Sequence, residues 1–267
     1  LWYEGRNMKW LILTLLSGAA WAAPVGNTSA PELIEEGFFI PPDSWIDLRA
    51  GYEGDFVSDA RLKQIKQGNG RVDDYKQNAN SGTFTFNILD RLDVFGVFGS
   101  SRVWTDWRFD DPAGDTHRAE LETLYDFLWA VGARGILFEW GCSSVGLGGR
   151  YEQSHYDNLW LTIDGASQPT SGTHLHWREW QVNLDVSYKI DIFTPYVGVK
   201  YSNTRAKIGT FDTPIANNLS GSNTFENRTP VGVYIGCALS TGRYFFLNVE
   251  GRLVDEEAVT ISGDLRF

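Results

Sequence analysis

The stretch from Leu121 to Tyr151 restricts the fold more than any other: two long arms alternate at period two, joined by a very short turn around Phe138 to Gly141. Such alternation marks a strand; a helix would repeat every three or four residues. Leu121, Thr123, Tyr125, Phe127, Trp129, Val131 and Ala133 share one face of the first arm. Glu120, Glu122, Leu124, Asp126, Leu128, Ala130, Gly132 and Arg134 share the other. On the second arm Val145, Leu147, Gly149 and Tyr151 oppose Cys142, Ser144, Gly146, Gly148, Arg150 and Glu152. One face is aromatic and aliphatic; the other is small, polar or charged. Both arms exceed the length of about five or six residues usual in soluble strands. A soluble barrel keeps its apolar face inside. Lipid reverses that order, and closing the sheet satisfies every backbone group where no water is available. The expected fold is all-β, a transmembrane antiparallel β-barrel.

The N-terminus reads as an export signal. Met8 is the only methionine, so residues 1–7 are taken as upstream sequence. Met8-Lys9 gives a basic start, Trp10 to Ser17 an apolar core, and Ala20-Trp21-Ala22 a small-x-small cleavage site. Cleavage there leaves 245 of the 267 residues. No run approaches the ~20 apolar residues of a transmembrane helix. The full chain carries a net charge of −11, and −12 once Glu4, Arg6 and Lys9 are set aside. So acidic a chain is a poor partner for nucleic acid. With only Cys142 and Cys237, no disulfide framework exists.

Pro- and Gly-punctuated residues 23–43 read as an N-terminal segment, periplasmic or lumenal, ahead of a barrel over residues 44–267. Strands are expected at Ser44 to Val57, Gly82 to Leu89, Asp93 to Trp104, the two arms above, His174 to Lys189, Phe193 to about Ile208, Asn227 to Leu239, Arg243 to Leu253 and Ala258 to Phe267. Ten strands satisfy the even count of outer-membrane barrels; twelve follow if a long loop hides a hairpin. Joins alternate long and short until the last one, the long ones including Ser58 to Asn80, Thr105 to His117, Asp157 to Thr173 and Gly209 to Glu226. The last strand puts Val259, Ile261, Gly263, Leu265 and the terminal Phe267 on one face. That ending resembles the signal read by the outer-membrane assembly machinery, which marks Phe267.

Several stretches resemble one family in shared order. They are Pro24-Val25-Gly26-Asn27, Gly51-Tyr52-Glu53-Gly54-Asp55-Phe56-Val57 and Asn87-Ile88-Leu89-Asp90-Arg91-Leu92-Asp93-Val94-Phe95. Val131-Gly132-Ala133-Arg134, Glu139-Trp140-Gly141-Cys142, Glu179-Trp180-Gln181, Phe193-Thr194-Pro195-Tyr196-Val197-Gly198-Val199-Lys200 and Arg252-Leu253-Val254-Asp255-Glu256 follow. Together they resemble the chlamydial major outer membrane proteins, a porin family. The resemblance implies passive diffusion of small solutes and a structural role in the envelope. This chain is shorter than typical members, and Trp140 stands where the family pattern has its first cysteine of Glu-Cys-Gly-Cys.

Inward charges are the candidate channel lining. Basic residues are Arg49, Arg102, Arg134, Arg150, Lys200, Arg252 and Arg266. Acidic residues are Asp47, Glu53, Asp55, Glu120, Glu122, Asp126, Glu152, Glu179, Asp185, Glu250 and Asp264. The acidic excess suggests cation preference. The bland alternative is a lumen filled by paired charges, as in barrels of about eight strands. Inward Gly132, Gly146, Gly148, Gly198, Gly232 and Gly236 leave space and favour a channel. Trp45, Trp104, Trp129, Trp140, Trp177 and Trp180 are candidates for interface girdles. Cys142, near a short turn, is a candidate for an intermolecular disulfide. His174-Leu175-His176 could touch a metal, but no cysteine or carboxylate motif completes a site, so no metal, cofactor or catalytic residue is assigned. The expected partners are membrane lipid, the barrel-assembly machinery, small hydrophilic solutes and further copies of the chain. The expected function is an outer-membrane porin. A non-conducting structural or adhesin-like barrel is the alternative, its long loops carrying the function and Asn218 and Asn227 heading glycosylation-like sequons.

Overall fold

A computed structural model describes residues 24, 26–41, 44–65, 71–110, 113–209 and 224–267. The expected leader (residues 8–22), the upstream residues 1–7 and Asn218 lie outside the described residues. Ten strands follow in order: β1 Ile46–Ala60, β2 Arg71–Ile88, β3 Leu92–Asp110, β4 Asp126–Trp140 with an outer part Thr116–Thr123, and β5 Ser143–Ile163. Then come β6 His174–Tyr188, β7 Phe193–Ile208, β8 Val231–Ser240, β9 Phe245–Leu253 and β10 Glu256–Arg266. Each pairs antiparallel with the next. The last pairs with the first, from Arg49↔Arg266 to Ala60↔Glu256, which closes the ring. The expected count of ten holds.

Short turns join strands at one end. In the three-residue connection from Leu89 to Arg91, Leu89 and Asp90 both have positive φ, 57° and 50°, the left-handed twist that tight hairpin turns use. Asn87 Oδ1 accepts the Asp90 N–H at 3.0 Å and fixes that turn. The opposite end differs from the sequence reading. Ser58 to Asn80 is mostly strand, because β1 runs to Ala60 and β2 starts at Arg71. Likewise β3 continues to Asp110 and β5 to Ile163, inside segments read as loops.

Two different barrels are stacked in this one ring. Toward the turn end the outer face is apolar: Phe84, Phe86, Phe127, Leu184, Val186, Val197, Val199, Val233, Ile235, Val249, Ile261 and Leu265 are exposed. On β7 this outward run, from Phe193 to Tyr201, spans a length that suits the ~9–11 residues of a membrane-crossing strand. Trp180 packs on Tyr201 at 5.5 Å and Trp129 on Tyr151 at 5.3 Å, an aromatic girdle at its upper edge. Trp45 and Trp140 stand exposed at the turn end.

Beyond the girdle the polarity inverts. Tyr75, Val103, Trp107, Phe109, Leu121, Tyr156, Leu161, Leu175, Trp177 and Ile208 point inward and form one buried cluster. Charged pairs stand outside, such as Arg118–Asp106 and Arg108–Asp73. The ring also narrows. Leu62–Gln64 pairs with Thr224–Asn227, which pairs with β7, so β8, β9 and β10 are bypassed. Eight strands then surround the core, a circumference that side chains fill.

This inversion corrects several readings. The arm from Leu121 breaks at Leu124-Tyr125, both exposed; Leu121 and Thr123 are buried inside, and the parity resets at β4. Glu120 and Glu122 therefore face outward. So does Arg102, which pairs with Glu122 at 3.1 Å and lies over the Tyr125 ring. Trp177 is buried and stacks on Tyr75 at 4.8 Å, so it belongs to no girdle. Among the described residues no helix is long and apolar enough to cross a membrane; the strands cross it.

The lipid face has a direct test. Val186→Arg should lower stability by about 2–4 kcal/mol in urea titrations in vesicles, whereas Gln153→Arg, beside Trp129 at the girdle, should cost about 0–1 kcal/mol. Equal costs would place the belt elsewhere.

Candidate functional site

The lumen within the belt is a layer of ionisable side chains. Facing it are Asp47, Glu53, Asp55, Asp93, Glu152, Glu179, Asp185, Glu250, Asp255, Glu256 and Asp264, eleven carboxyl groups against the six cations of Arg49, Arg134, Arg150, Lys200, Arg252 and Arg266. Strand alternation aims them inward, and closure brings distant strands together.

Three clusters result. Near the turn end Arg49 lies 3.4 Å from Asp47 and 3.7 Å from Asp93. Arg134 meets Asp93 at 3.0 Å and Asp264 at 3.8 Å; Arg266 meets Asp47 at 3.0 Å and Asp90 at 3.1 Å. In the middle Arg150 bridges Glu53 at 2.6 Å and Glu152 at 3.0 Å. Toward the apolar core Arg252 holds Asp55 at 2.8 Å, Glu256 at 2.7 Å and Glu250 at 3.8 Å. Lys200 pairs with Asp255 at 2.9 Å and with Glu256. Glu179 lines a cavity of about 10 Å³ between this layer and the apolar core, room for about one water.

The N-terminal segment enters from the turn end and fills what remains. Asn27, Thr28, Ser29, Ala30, Pro31, Leu33 and Ile34 are all buried. Arg49 donates to the carbonyls of Ala30 at 2.8 Å and Pro31 at 2.7 Å. Arg150 donates to the Pro24 carbonyl at 2.6 Å, and Asn87 to the Pro31 carbonyl at 3.2 Å. Thr28 gives Asp185 both its N–H, at 3.2 Å, and its hydroxyl. Ala30, Leu33 and Ile34 pack on Ala238 and Phe246. The segment thus packs against inward side chains of β1, β2, β5 and β6.

The inward glycines do not open a channel. A Cβ on Gly146 would stand 2.0 Å from the Thr28 hydroxyl, and one on Gly132 would stand 2.4 Å from the Phe95 ring. Gly198 and Gly236 make room for the Tyr234 and Tyr196 rings, and Gly232 for the Asp255 carboxylate. Each holds space for a neighbour rather than for water.

Of the expected lining residues, Asp47, Arg49, Glu53, Arg134, Arg150, Glu179, Asp185, Lys200, Glu250 and Arg252 all face this layer. Asp126 does not join it. It sits where β4 resumes after its break, and its carboxylate accepts the backbone N–H of Asp157 at 2.6 Å. Asp93, Asp255 and Glu256 belong to the layer and escape the sequence reading. The available signal was their place in the matching Asn87-to-Phe95 and Arg252-to-Glu256 stretches. Phe267 is tied by its N–H to the Leu48 carbonyl at 2.9 Å. Cys142 is exposed in the β4–β5 turn, while Cys237 is half-buried on β8. Asn227 has its amide bound to Ser202 and Thr204, at 2.8 Å each.

A closed ring with an apolar belt outside and polar, ionisable groups inside is a transmembrane β-barrel of the outer-membrane type. A sequence profile described as Chlamydia major outer membrane protein matches residues 159–226. The serovar F major outer membrane porin of Chlamydia trachomatis is 25% identical, over 96% of this chain and 98% of that one. A major outer membrane porin of Chlamydia pneumoniae is 27% identical, over 97% and 100%. The chain is thus similar, over nearly its whole length, to chlamydial major outer membrane porins. The serovar F alignment runs over 387 positions, so at least 120 of them face gaps in these 267 residues. Among solved structures, an outer membrane channel of Pseudomonas putida F1 superposes at a TM-score of 0.43 with 12% identity, over 94% of this chain and 98% of that one. The outer membrane protease OmpT of Escherichia coli superposes at 0.42 with 12% identity, over 83% and 95%. Scores at this level carry no argument about activity.

Proposed function

We propose that this barrel is a porin of the bacterial outer membrane, exported through a cleaved signal peptide, that passes ions and small hydrophilic solutes by passive diffusion and rests closed. The observation that carries this reading is the layer of paired, ionisable side chains across the membrane belt. Stability alone does not call for it, since buried ion pairs can be exchanged for apolar packing without loss. A polar route through lipid does call for it. Short turns face the periplasm and the apolar core faces outward, as long loops do in this class. Phe267 serves as the assembly signal. The eleven-to-six acidic excess favours cations, most strongly at low salt.

Refolded protein in a planar bilayer tests this. Brief, small, cation-preferring openings are expected, with the reversal potential in a KCl gradient shifting toward zero when Asp47, Glu179 and Asp185 are neutralised together. A folded barrel that stays silent supports the second reading, a structural or adhesin-like barrel. The sealed apolar core at the loop end favours that reading specifically. Cys142 fits an envelope role: exposed at the turn end in an oxidising compartment, it can bridge two copies. Covalent dimers on non-reducing gels should disappear with Cys142→Ser; dimers that persist exclude this bridge.

A further inference from the structure

Three of the four histidines meet on the outer wall above the girdle. His174 and His176 lie on β6, and His155 and Asp157 on β5, 17 to 21 residues earlier. The register sets His174 beside Asp157, which brings His176 beside His155. All four therefore share the outward face, where alternate residues of neighbouring strands stand side by side. His174 Nδ1 is 2.6 Å from Asp157 Oδ1, and His155 Nδ1 is 2.9 Å from His176 Nδ1. The His155 ring centroid is 4.8 Å from that of His174 and 4.1 Å from that of His176. The fourth histidine, His117, is spent elsewhere: at 2.6 Å from Asp164 it helps hold that turn carboxyl below its usual pKa.

We propose that His155, Asp157 and His174 form a surface site for one divalent transition-metal ion of the zinc class, with His176 as a positioning residue. One donor atom from each of the three ligands lies within 4.8 Å of the other two. Donors around one zinc at ordinary bond lengths of about 2.0–2.1 Å stand roughly 3–4 Å apart, so small side-chain rotations close the set. Two imidazoles and a carboxylate suit zinc, nickel or copper and disfavour magnesium or calcium, which take oxygen ligands. Two imidazole nitrogens at hydrogen-bond distance cannot both carry protons, so His155 and His176 share one. His155 can then donate its Nδ1–H to His176, which orients the ring and leaves Nε2 for the metal, as metal-ligating histidines do with second-shell partners. The flanking charges are mixed. Lys207 on β7 lies opposite His176 in register and weakens cation binding, while the Asp126 carboxylate beside Asp157 strengthens it. His-Leu-His was visible in the sequence; the completing pair was hidden because it lies on another strand.

The test uses the refolded full chain carrying Cys142→Ser and Cys237→Ser, so that no thiol competes. Equilibrium dialysis with Zn²⁺ alone should give one ion per chain. His155→Ala and His174→Gln should each weaken binding by about tenfold or more, and His176→Ala by less. All three positions are solvent-facing, and heat-dependent gel mobility reports whether each barrel has folded. No bound zinc in the parent, or unchanged binding in both ligand variants, overturns the proposal.

Discussion

Deleting Gly26 to Glu36 while changing Tyr75 and Trp177 to alanine should raise single-barrel conductance roughly tenfold or more, and either change alone should leave it near the wild-type value. Two closures stand in series, and the tighter one sets the current. The N-terminal segment occupies the turn end of the lumen, with Thr28, Ala30 and Ile34 fully buried. At the other end Tyr75 on β2 stacks on Trp177 on β6 across the lumen, their rings 4.8 Å apart and 13° from parallel. Trp107 meets Phe225 edge-on at 5.7 Å beside them. An apolar constriction blocks ions by excluding water, whatever lies below it. Removing the segment alone leaves this seal; removing the seal alone leaves the segment. Losing the two rings costs about 3–5 kcal/mol each at worst, so folding is checked by gel mobility. Full opening by the deletion alone would show that the aromatic seal leaks. Silence in the combined variant would place the block in the layer of paired, ionisable groups and favour the structural barrel.

The belt was legible because lipid outside imposes one rule on every strand. Val197, Val199 and Tyr201 alternate with Gly198 and Lys200, and β6 and β7 are found almost where period two puts them. The stacked upper barrel was not legible, because the same alternation continues across the girdle while its meaning reverses. Arg102 keeps the outward parity of Val94 and Phe98, and Ser101 the inward parity of Phe95 and Val97: a charge outside and a small polar residue inside, next to buried Val103. Turn-like composition in Ser58 to Asn80 hid the starts and ends of long strands, since exposed strand faces above a membrane are as polar as loops. The glycines misled for a different reason. Gly146 shows that space exists, not who takes it, and Thr28, 118 residues earlier in the chain, takes it. Lumen closure is a product of strand number and of the N-terminal segment together, and no local signal reports it.

Arg252→Ala should destabilise the barrel by about 3–5 kcal/mol, whereas Arg91→Ala should cost about 0–1 kcal/mol. Arg252 is a buried cation at the centre of three carboxylates, Asp55, Glu250 and Glu256, with its guanidinium 2.8 and 3.0 Å from the two oxygens of Asp55. Its removal strands charges that have been withdrawn from water, and Lys200 alone is left beside Glu256 and Asp255. Arg91 pairs with Glu139 at a comparable 2.8 Å, but its side chain is 56% exposed. Water can replace it there at little cost. The two pairs have nearly equal distances and differ in burial, so the comparison isolates desolvation. Urea unfolding of both variants in the same vesicles measures it. A further variant, Arg252→Ala with Asp55→Ala, should recover part of the loss by removing one stranded carboxylate, since residues in one ion-pair network do not add. If Arg252→Ala proves as mild as Arg91→Ala, water already reaches this layer, and the resting lumen is wetter and closer to open than its packing implies.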